Sequence, residues 1–194
     1  MNVYDFDNTI YDGESALDFF WFCMRKKPVL VKVLFPVLRD LVRYKTCRMT
    51  KEEFRDRGAY YTESFFDLFD DIHEVIYEFW DRNEHKIRNF YSRIQRDDDV
   101  IVTANIDVLV DVIFRRMGIK NYIATHFDMD TGKLGEVCFG EVKAKLFKEK
   151  YGDNIDKFFT DSYNDKPLMD MANEVYMVKR GVIEKLEKRG VMSV

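Results

Sequence analysis

The sequence predicts an α/β fold built on a parallel sheet with crossover helices, with a long helical insertion after the first strand. Three observations carry this. From about Asp99 onward short β-branched or aromatic runs alternate with helical segments, the pattern of a parallel sheet whose strands are joined by crossover helices. From Ser15 to Arg96 apolar residues recur at helical spacing with few breakers and no convincing strand. The 194 residues, 46% hydrophobic and 34% charged, suit one compact domain carrying an insertion. Seventeen Phe, eleven Tyr and two Trp against nine Gly and three Pro favour large buried rings and helices over a turn-rich β-sandwich.

In chain order, Met1 to Phe6 predicts a short strand that runs directly into Asp5, Asp7, Asn8 and Thr9. After the helical block, Val100 to Thr103 (VIVT) reads as a strand, Ile106 to Met117 as a helix and Asn121 to Thr125 as a strand. Phe127 to Val137 alternates around Asp130, Thr131 and Gly132, a hairpin pattern. Glu141 to Tyr151 reads as a helix, Asp156 to Thr160 as a strand, Lys166 to Ala172 as a helix, Glu174 to Val178 as a strand, and Ile183 to Arg189 as a last helix. No repeat, low-complexity tract or Pro/Gly/Ser linker interrupts this order, so the insertion is expected to pack against the rest of the molecule.

A net charge of −4 does not argue for a nucleic-acid partner. Cys23, Cys47 and Cys138 are isolated thiols without a CxxC pair or a His at metal-ligand spacing, which predicts reduced cysteines and a cytoplasmic location rather than a disulfide framework or zinc site. The opening MNVYDFDNT lacks a basic region followed by a long apolar run, so no signal peptide is expected. The densest apolar stretch, Pro28 to Val42, is broken by Lys32, Arg39 and Asp40 and is too short to span a bilayer.

Open parallel sheets bind ligands beyond the carboxyl ends of their strands. The polar residues there are Asp5 and Asp7; Thr103 and Asn105; then Asp161, Ser162, Asn164 and Asp165. Four carboxylates in one cleft raise each other's pKa and do not all ionise without a cation. A hard divalent ion, Mg²⁺, is implied. Asp7 lies two residues beyond Asp5, which returns its side chain to the same side of an extended chain. Thr103 and Asn105 could instead cap the following helix, and Asp165, just before Lys166 and Pro167, could cap its own.

These motifs together resemble the haloacid-dehalogenase superfamily of phosphohydrolases, over essentially the whole chain. DFDNT at Asp5 to Thr9 resembles its DxDxT, and VIVT ending at Thr103 its second motif. CFGEVK at Cys138 to Lys143 is similar to the lysine segment of the phosphoserine-phosphatase-like branch, and DSYND at Asp161 to Asp165 to the acidic fourth motif. The resemblance implies a Rossmann-like three-layer core at 1–13 and 97–194 with an all-helical C1-type cap at 14–96. It further implies a Mg²⁺-dependent phosphomonoester hydrolase working through an aspartyl-phosphate. Asp5 would be the nucleophile and Asp7 the acid and base. Thr103, Ala104, Asn105 and Lys143 would bind the phosphoryl group. Asp5, Asp161 and the backbone carbonyl of Asp7 would hold the metal, with Asn164 and Asp165 in support. Lys145 competes with Lys143, but two positions apart on a helix they point in different directions. Asp7 favours phosphoryl transfer over dehalogenation, since the dehalogenases of the superfamily lack that second Asp.

Substrate choice should reside in the insertion and the hairpin. Glu14 lies nine residues after Asp5, where phosphoserine phosphatases carry a glutamate for the substrate's amino group; a helix-start carboxylate is the other reading. Arg55 and Arg57 lie where a carboxylate-gripping arginine would be sought, in surroundings that depart from that pattern. Arg25 to Lys51 holds nine Lys or Arg against Asp40, whereas Glu63 to Asp81 holds seven acidic residues and no Lys or Arg. On a helix, Lys32, Pro36, Arg39 and Arg43 share one side and Leu30, Leu34, Leu38 and Leu41 the other. Two readings stand: cap helices of complementary charge sharing an apolar seam, or a basic amphipathic surface for peripheral membrane contact. The substrate is accordingly a small phosphorylated metabolite or a lipid phosphate such as phosphatidylglycerophosphate. A non-catalytic phosphate- or membrane-binding module is the reading from another class. His73, His85 and His126 are scattered and need no catalytic role.

Overall fold

The computed structural model describes residues 1–45 and 48–187. Cys47 and the end of the last predicted helix lie outside the described residues, as do the side chains of Leu34, Leu38, Leu41 and Arg55. Among the described residues, eight strands and eight α-helices follow in the order β1 (Asn2–Tyr4), α1 (Ser15–Lys26), α2 (Val31–Lys45), α3 (Lys51–Phe66), α4 (Ile72–Asn83), α5 (Asn89–Ile94), β2 (Val100–Ile106), α6 (Asp107–Arg116), β3 (Asn121–Thr125), β4 (Phe127–Asp128), β5 (Lys133–Leu134), α7 (Glu141–Tyr151), β6 (Ile155–Thr160), α8 (Lys166–Met171), β7 (Ala172–Lys179) and β8 (Val182–Leu186). Six strands form one sheet in the order β3-β2-β1-β6-β7-β8, and β4 pairs with β5 in an antiparallel hairpin. The first five strands run parallel; β8 runs antiparallel to β7.

Alternation along the strands sends side chains to two cores. Val3, Val100, Val102 and Phe158 meet Cys138, Phe147 and Leu168 on the face covered by α7 and α8. Tyr4, Ile101 and Phe159 meet Phe79, Trp80, Ile113 and Phe114 on the face covered by α4 and α6. On that second face Tyr4, Phe159 and Tyr176 stack in register across β1, β6 and β7, each pair of ring centroids 4.7 Å apart. Cross-strand aromatic pairs of this kind contribute beyond their buried area.

Two of the helices between β1 and β2 carry side-chain caps. Thr50 and Glu53 make a reciprocal capping box at the start of α3, and Asp71 caps α4 through Glu74 N. Phe19 and Phe22 of α1 pack edge-on to Phe79 of α4. Trp80 Nε1 donates to the Leu109 carbonyl at 2.7 Å, tying α4 to α6, and Phe66 of α3 stacks on Phe127 of the hairpin at 4.4 Å. No helix among the described residues is long and apolar enough to cross a membrane. Cys23 and Cys138 are buried, unpaired thiols.

Three expectations are corrected. Ile183 to Arg189 does not begin a helix: Val182 to Leu186 is β8, paired from Val175↔Leu186 to Lys179↔Val182. The two turn residues, Arg180 (φ 50°) and Gly181 (φ 81°), both have the positive φ that a tight two-residue hairpin demands. Hydrogen bonding to the open edge of β7 thus overrides the helical propensity of Glu184, Lys185 and Leu186. Ala172, expected to end a helix, instead opens β7. The strand beginning at Val100 also runs on through Asn105 to Ile106, with a register shift after Val102.

At the amino ends of the strands, Asp99 is 3% exposed. Its Oδ2 accepts from Arg96 N at 2.8 Å, whereas its Oδ1 and the nearby Tyr91 hydroxyl and Asn2 Oδ1 find no hydrogen-bond partner among the described residues. Burial pushes the carboxyl up to about 6. The folded state therefore holds a proton that the unfolded chain releases near pH 4, so the favourable term is complete below about pH 4 and is lost as pH rises through about 6. Two pK units correspond to about 3 kcal/mol. Asp99→Asn is expected to raise the melting temperature at pH 7.5 and to lose that advantage at pH 4; an equal effect at both pH values would contradict the buried-carboxylate assignment.

Candidate active site

The pleat of β1 sends Val3 to the α7 face, and two residues later the same parity sends Asp5 there, just past the strand's end. Helix α7 starts after Gly140, whose φ of 58° suits a residue without a Cβ. One turn in, Lys143 reaches back to the sheet. Its Nζ lies 2.7 Å from Asp5 Oδ1 and 3.0 Å from Asp165 Oδ1. All three residues are nearly inaccessible: Asp5 is 7% exposed, Lys143 4% and Asp165 3%. Thr160, the last residue of β6, donates its hydroxyl to Asp165 Oδ2 at 2.9 Å. Asp165 makes no side-chain cap bond to α8, so its side chain serves the lysine rather than the helix. Lys145 points away to Glu136 at 3.2 Å and is half-exposed.

Burial pushes the Asp5 carboxyl up, and the Lys143 ammonium pulls it back only in part. For Lys143 burial acts to lower the pKa, and the carboxylates of Asp5 and Asp165 more than reverse it, so the ammonium stays charged. The pair is desolvated, and its strength depends on this close geometry.

Asp7 is held separately. Its Oδ1 accepts from Ser15 N at 2.7 Å and from Ser15 Oγ at 2.5 Å; its Oδ2 lies 3.3 Å from Asn105 Nδ2, which also donates to Ser15 Oγ at 2.7 Å. Burial pushes its carboxyl up to about 6 against the pull of Ser15. Asn105 does not cap α6, whose N-cap is Ile106 with no side-chain bond; Thr103 Oγ1 accepts from Asn105 N at 3.1 Å, which braces the end of β2. Between these groups lies a cavity of about 180 Å³, lined by Asp5, Asp7, Glu14, Thr103, Ala104, Lys143, Asp161, Asn164 and Asp165 together with Phe139 and Ser162. Every residue singled out by the motifs thus borders one space, except Asn105, which reaches it through Asp7.

Four contributors were assigned no role by the sequence, although Asn8 and Phe139 lie within the DFDNT and CFGEVK motifs. Ser15 reads as an ordinary first helical residue, Thr160 as a strand end, and Phe139 as one more aromatic. Asn8 adopts φ 58° and gives its amide to Glu14 at 2.6 Å, orienting that carboxylate at the rim. Arg57, considered as a substrate grip, is instead 2.5 Å from Asp40.

The donor set fits a hard divalent cation. Asp5 and Asp161 follow neighbouring strands, joined where Asp5 N donates to the Phe159 carbonyl at 2.9 Å, and both border the cavity. Burial pushes Asp161 up as well, a cost that a bound cation reverses. Among the described residues no three His, Cys, Asp or Glu side chains converge to hold a metal by themselves. A cation here would therefore complete its shell with backbone, water or ligand oxygens, as Mg²⁺ commonly does.

Comparison with known proteins bears on the fold. A protein of unknown function from Bordetella pertussis Tohama I aligns over 90% of this chain and 87% of its own, with a TM-score of 0.67 at 19% identity. A HAD family hydrolase from Salmonella enterica serovar Typhi aligns over 88% and 59%, with a TM-score of 0.60 at 12% identity. A phosphoserine phosphohydrolase-like protein from Francisella tularensis aligns over 90% and 86%, with a TM-score of 0.54 at 18% identity. At these identities the likeness is one of fold. No curated protein matches the sequence. The family described as haloacid dehalogenase-like hydrolase matches residues 3–170, nearly the whole described fold, and the chain belongs to that family.

Proposed function

We propose that the chain is a Mg²⁺-dependent phosphatase that cleaves a phosphomonoester by way of a phosphoryl group carried on Asp5. The observation that carries the reading is the buried ammonium of Lys143 set 2.7 Å from Asp5 at the floor of a cavity shared with Asp7 and Asp161. Residues 14–96 serve as the helical cap over a core formed by 1–13 and 97–194.

In the first step an Asp5 carboxylate oxygen attacks phosphorus, the bond from phosphorus to the alcohol oxygen breaks, and that oxygen takes the proton of Asp7. In the second, Asp7 takes a proton from water as the water oxygen attacks phosphorus; the phosphorus to Asp5 bond breaks, releasing inorganic phosphate and restoring both residues. Asp7 suits both halves because burial pushes its pKa up to about 6, near neutral pH. Lys143 offsets the negative charge on Asp5 and on the phosphoryl oxygens, and its own charge is secured by Asp165. Thr103 and the Ala104 backbone face the same oxygens from β2, and Asn164 borders them from the turn after β6. Asp5, Asp161 and the Asp7 carbonyl would hold Mg²⁺, which supplies electrostatic stabilisation of the phosphoryl oxygens.

Three outcomes test this. Hydrolysis of p-nitrophenyl phosphate is expected with Mg²⁺ and lost with EDTA or in Asp5→Asn; turnover that survives the substitution would overturn the mechanism. Asp7→Asn is expected to lower kcat about 10²- to 10⁴-fold on an alkyl phosphate, and less on p-nitrophenyl phosphate, whose leaving group needs little protonation; equal losses on both would remove Asp7 from the acid role. Lys143→Met leaves Asp5 and Asp165 buried without their counter-charge and is expected to cost about 3–5 kcal/mol in urea unfolding at pH 7.5; an unchanged midpoint would show that the triad contributes nothing to the fold.

A further inference from the structure

A second cavity, of about 390 Å³, opens beside the first. Its walls are the opposing faces of α1, α3 and the start of α6, and they are apolar: Leu17, Phe19, Phe20, Phe65, Phe66 and Leu109. It meets the catalytic space at Ala104, which borders both, and at Asn105, whose amide touches Asp7. Two other depressions have mixed linings, one with Lys120, Glu136, Lys150 and Leu146 at the edge of β3 and one with Arg88, Lys179 and Arg180 that meets the catalytic space at Asp161.

Position gives the apolar cavity its meaning. The acid that protonates the leaving oxygen must face the alcohol half of the ester, and Asp7 is anchored to Asn105, which borders this space, and to Ser15, whose neighbour Ala16 borders it too. The alcohol therefore leaves toward α1 and α3, away from Asp161. A small polar alcohol would find no polar lining there beyond Asn105, Tyr61 and Thr62, while an apolar chain would remove both itself and the ring faces from water. Gly58 borders the same space from mid-helix, where a Cβ would meet no atom within 4 Å. The backbone there does not require glycine, and its missing side chain leaves room in the cavity.

Resting on the phosphatase reading above, we propose that this cavity receives an alkyl or acyl chain, so that the substrate is the phosphate monoester of a hydrophobic alcohol. Such an ester could arrive as a soluble amphiphile or from a bilayer. The outer surface beside the cavity suits the second route, with Leu17, Phe35 and Val42 exposed on α1 and α2 near exposed Lys32 and Arg39.

The test is kcat/KM for n-alkyl phosphates from ethyl to octyl, each below its micelle concentration, with Mg²⁺. A rise of at least about tenfold across the series is expected, with each methylene worth up to about fourfold. Gly58→Phe, checked for an unchanged melting transition, should bring the octyl-to-ethyl ratio toward one; the wild-type series stands whether or not that variant folds. A flat series with clear turnover of ethyl phosphate would overturn the chain-binding inference and leave the phosphatase intact. Absence of turnover on every ester would overturn the phosphatase reading and this inference with it. Phosphatidylcholine vesicles doped with phosphatidic acid separate the two sources: hydrolysis there assigns the chain to a bilayer lipid, and selective hydrolysis of free octyl phosphate assigns it to a soluble amphiphile.

Discussion

The ammonium of Lys143 sits between two carboxylates in a place that water hardly reaches, and the rest of the site is arranged around keeping it there. An isolated charge so deeply buried would cost several kcal/mol. It is tolerated because Asp5 arrives from β1, Asp165 from the turn after β6, and the lysine from the first turn of α7. Each partner is fixed by a different part of the fold. Parallel pairing of β1 with β6 sets the separation of the two carboxylates, the turn at Gly140 sets the angle of α7, and Thr160 fixes the rotamer of Asp165. Loss of register anywhere in the central sheet would strand the charge, so the site and the topology stabilise one another.

A second constraint separates the two acids of the DFDNT turn. Asp5 has a full counter-charge; Asp7 has none within bonding distance and is held by neutral donors on Ser15 and Asn105. Two carboxyls two residues apart, both pushed up by burial, are thereby held by different kinds of partner, one by a buried ammonium and one by neutral donors. Ser15 opens α1 and Asn105 is the last residue but one of β2. The proposed proton carrier is thus anchored where the helical insertion joins the sheet, while the proposed nucleophile is anchored by Lys143 of α7.

Much of this was legible because the decisive signals are local. A strand running into DFDNT, an apolar strand ending in Thr103, and DSYND after a third strand each announce a rim position through a handful of adjacent residues. Lys143 was separable from Lys145 by helical geometry, and the structure sends the second to Glu136. What the sequence hid is set by distant partners. Lys185, Leu186 and Glu184 carry helical propensity, yet an unpaired edge of β7 draws them into a strand. Ser15 and Thr160 gained their roles from groups that no local pattern relates to them. Arg57 looked available for a ligand, and it turned to Asp40, seventeen residues away on the preceding helix.

Asp40 explains how a basic segment can also be a packed one. It is fully buried and accepts from the Tyr61 hydroxyl and from Arg57 on α3, with Arg39 beside it on α2; the Tyr61 hydroxyl first, then the guanidiniums, hold its carboxyl well below the usual range. The single acidic residue of the basic block is therefore turned inward as the tie between α2 and α3. The acidic block is engaged elsewhere, Glu78 of α4 with Lys26 of α1 and Glu63 with the backbone of the hairpin at Leu134. These contacts join α1 to α4 and α3 to the hairpin, while on α2 Arg39 and Arg43 pair with Asp40 and still expose about half of their side chains. They lie on the helix that carries exposed Phe35 and Val42, in the same helical layer that walls the apolar cavity. One layer of helices in this way presents ring faces to the site and positive charge to the outside, the distribution that an amphiphilic ester, apolar at one end and anionic at the other, requires of its receptor.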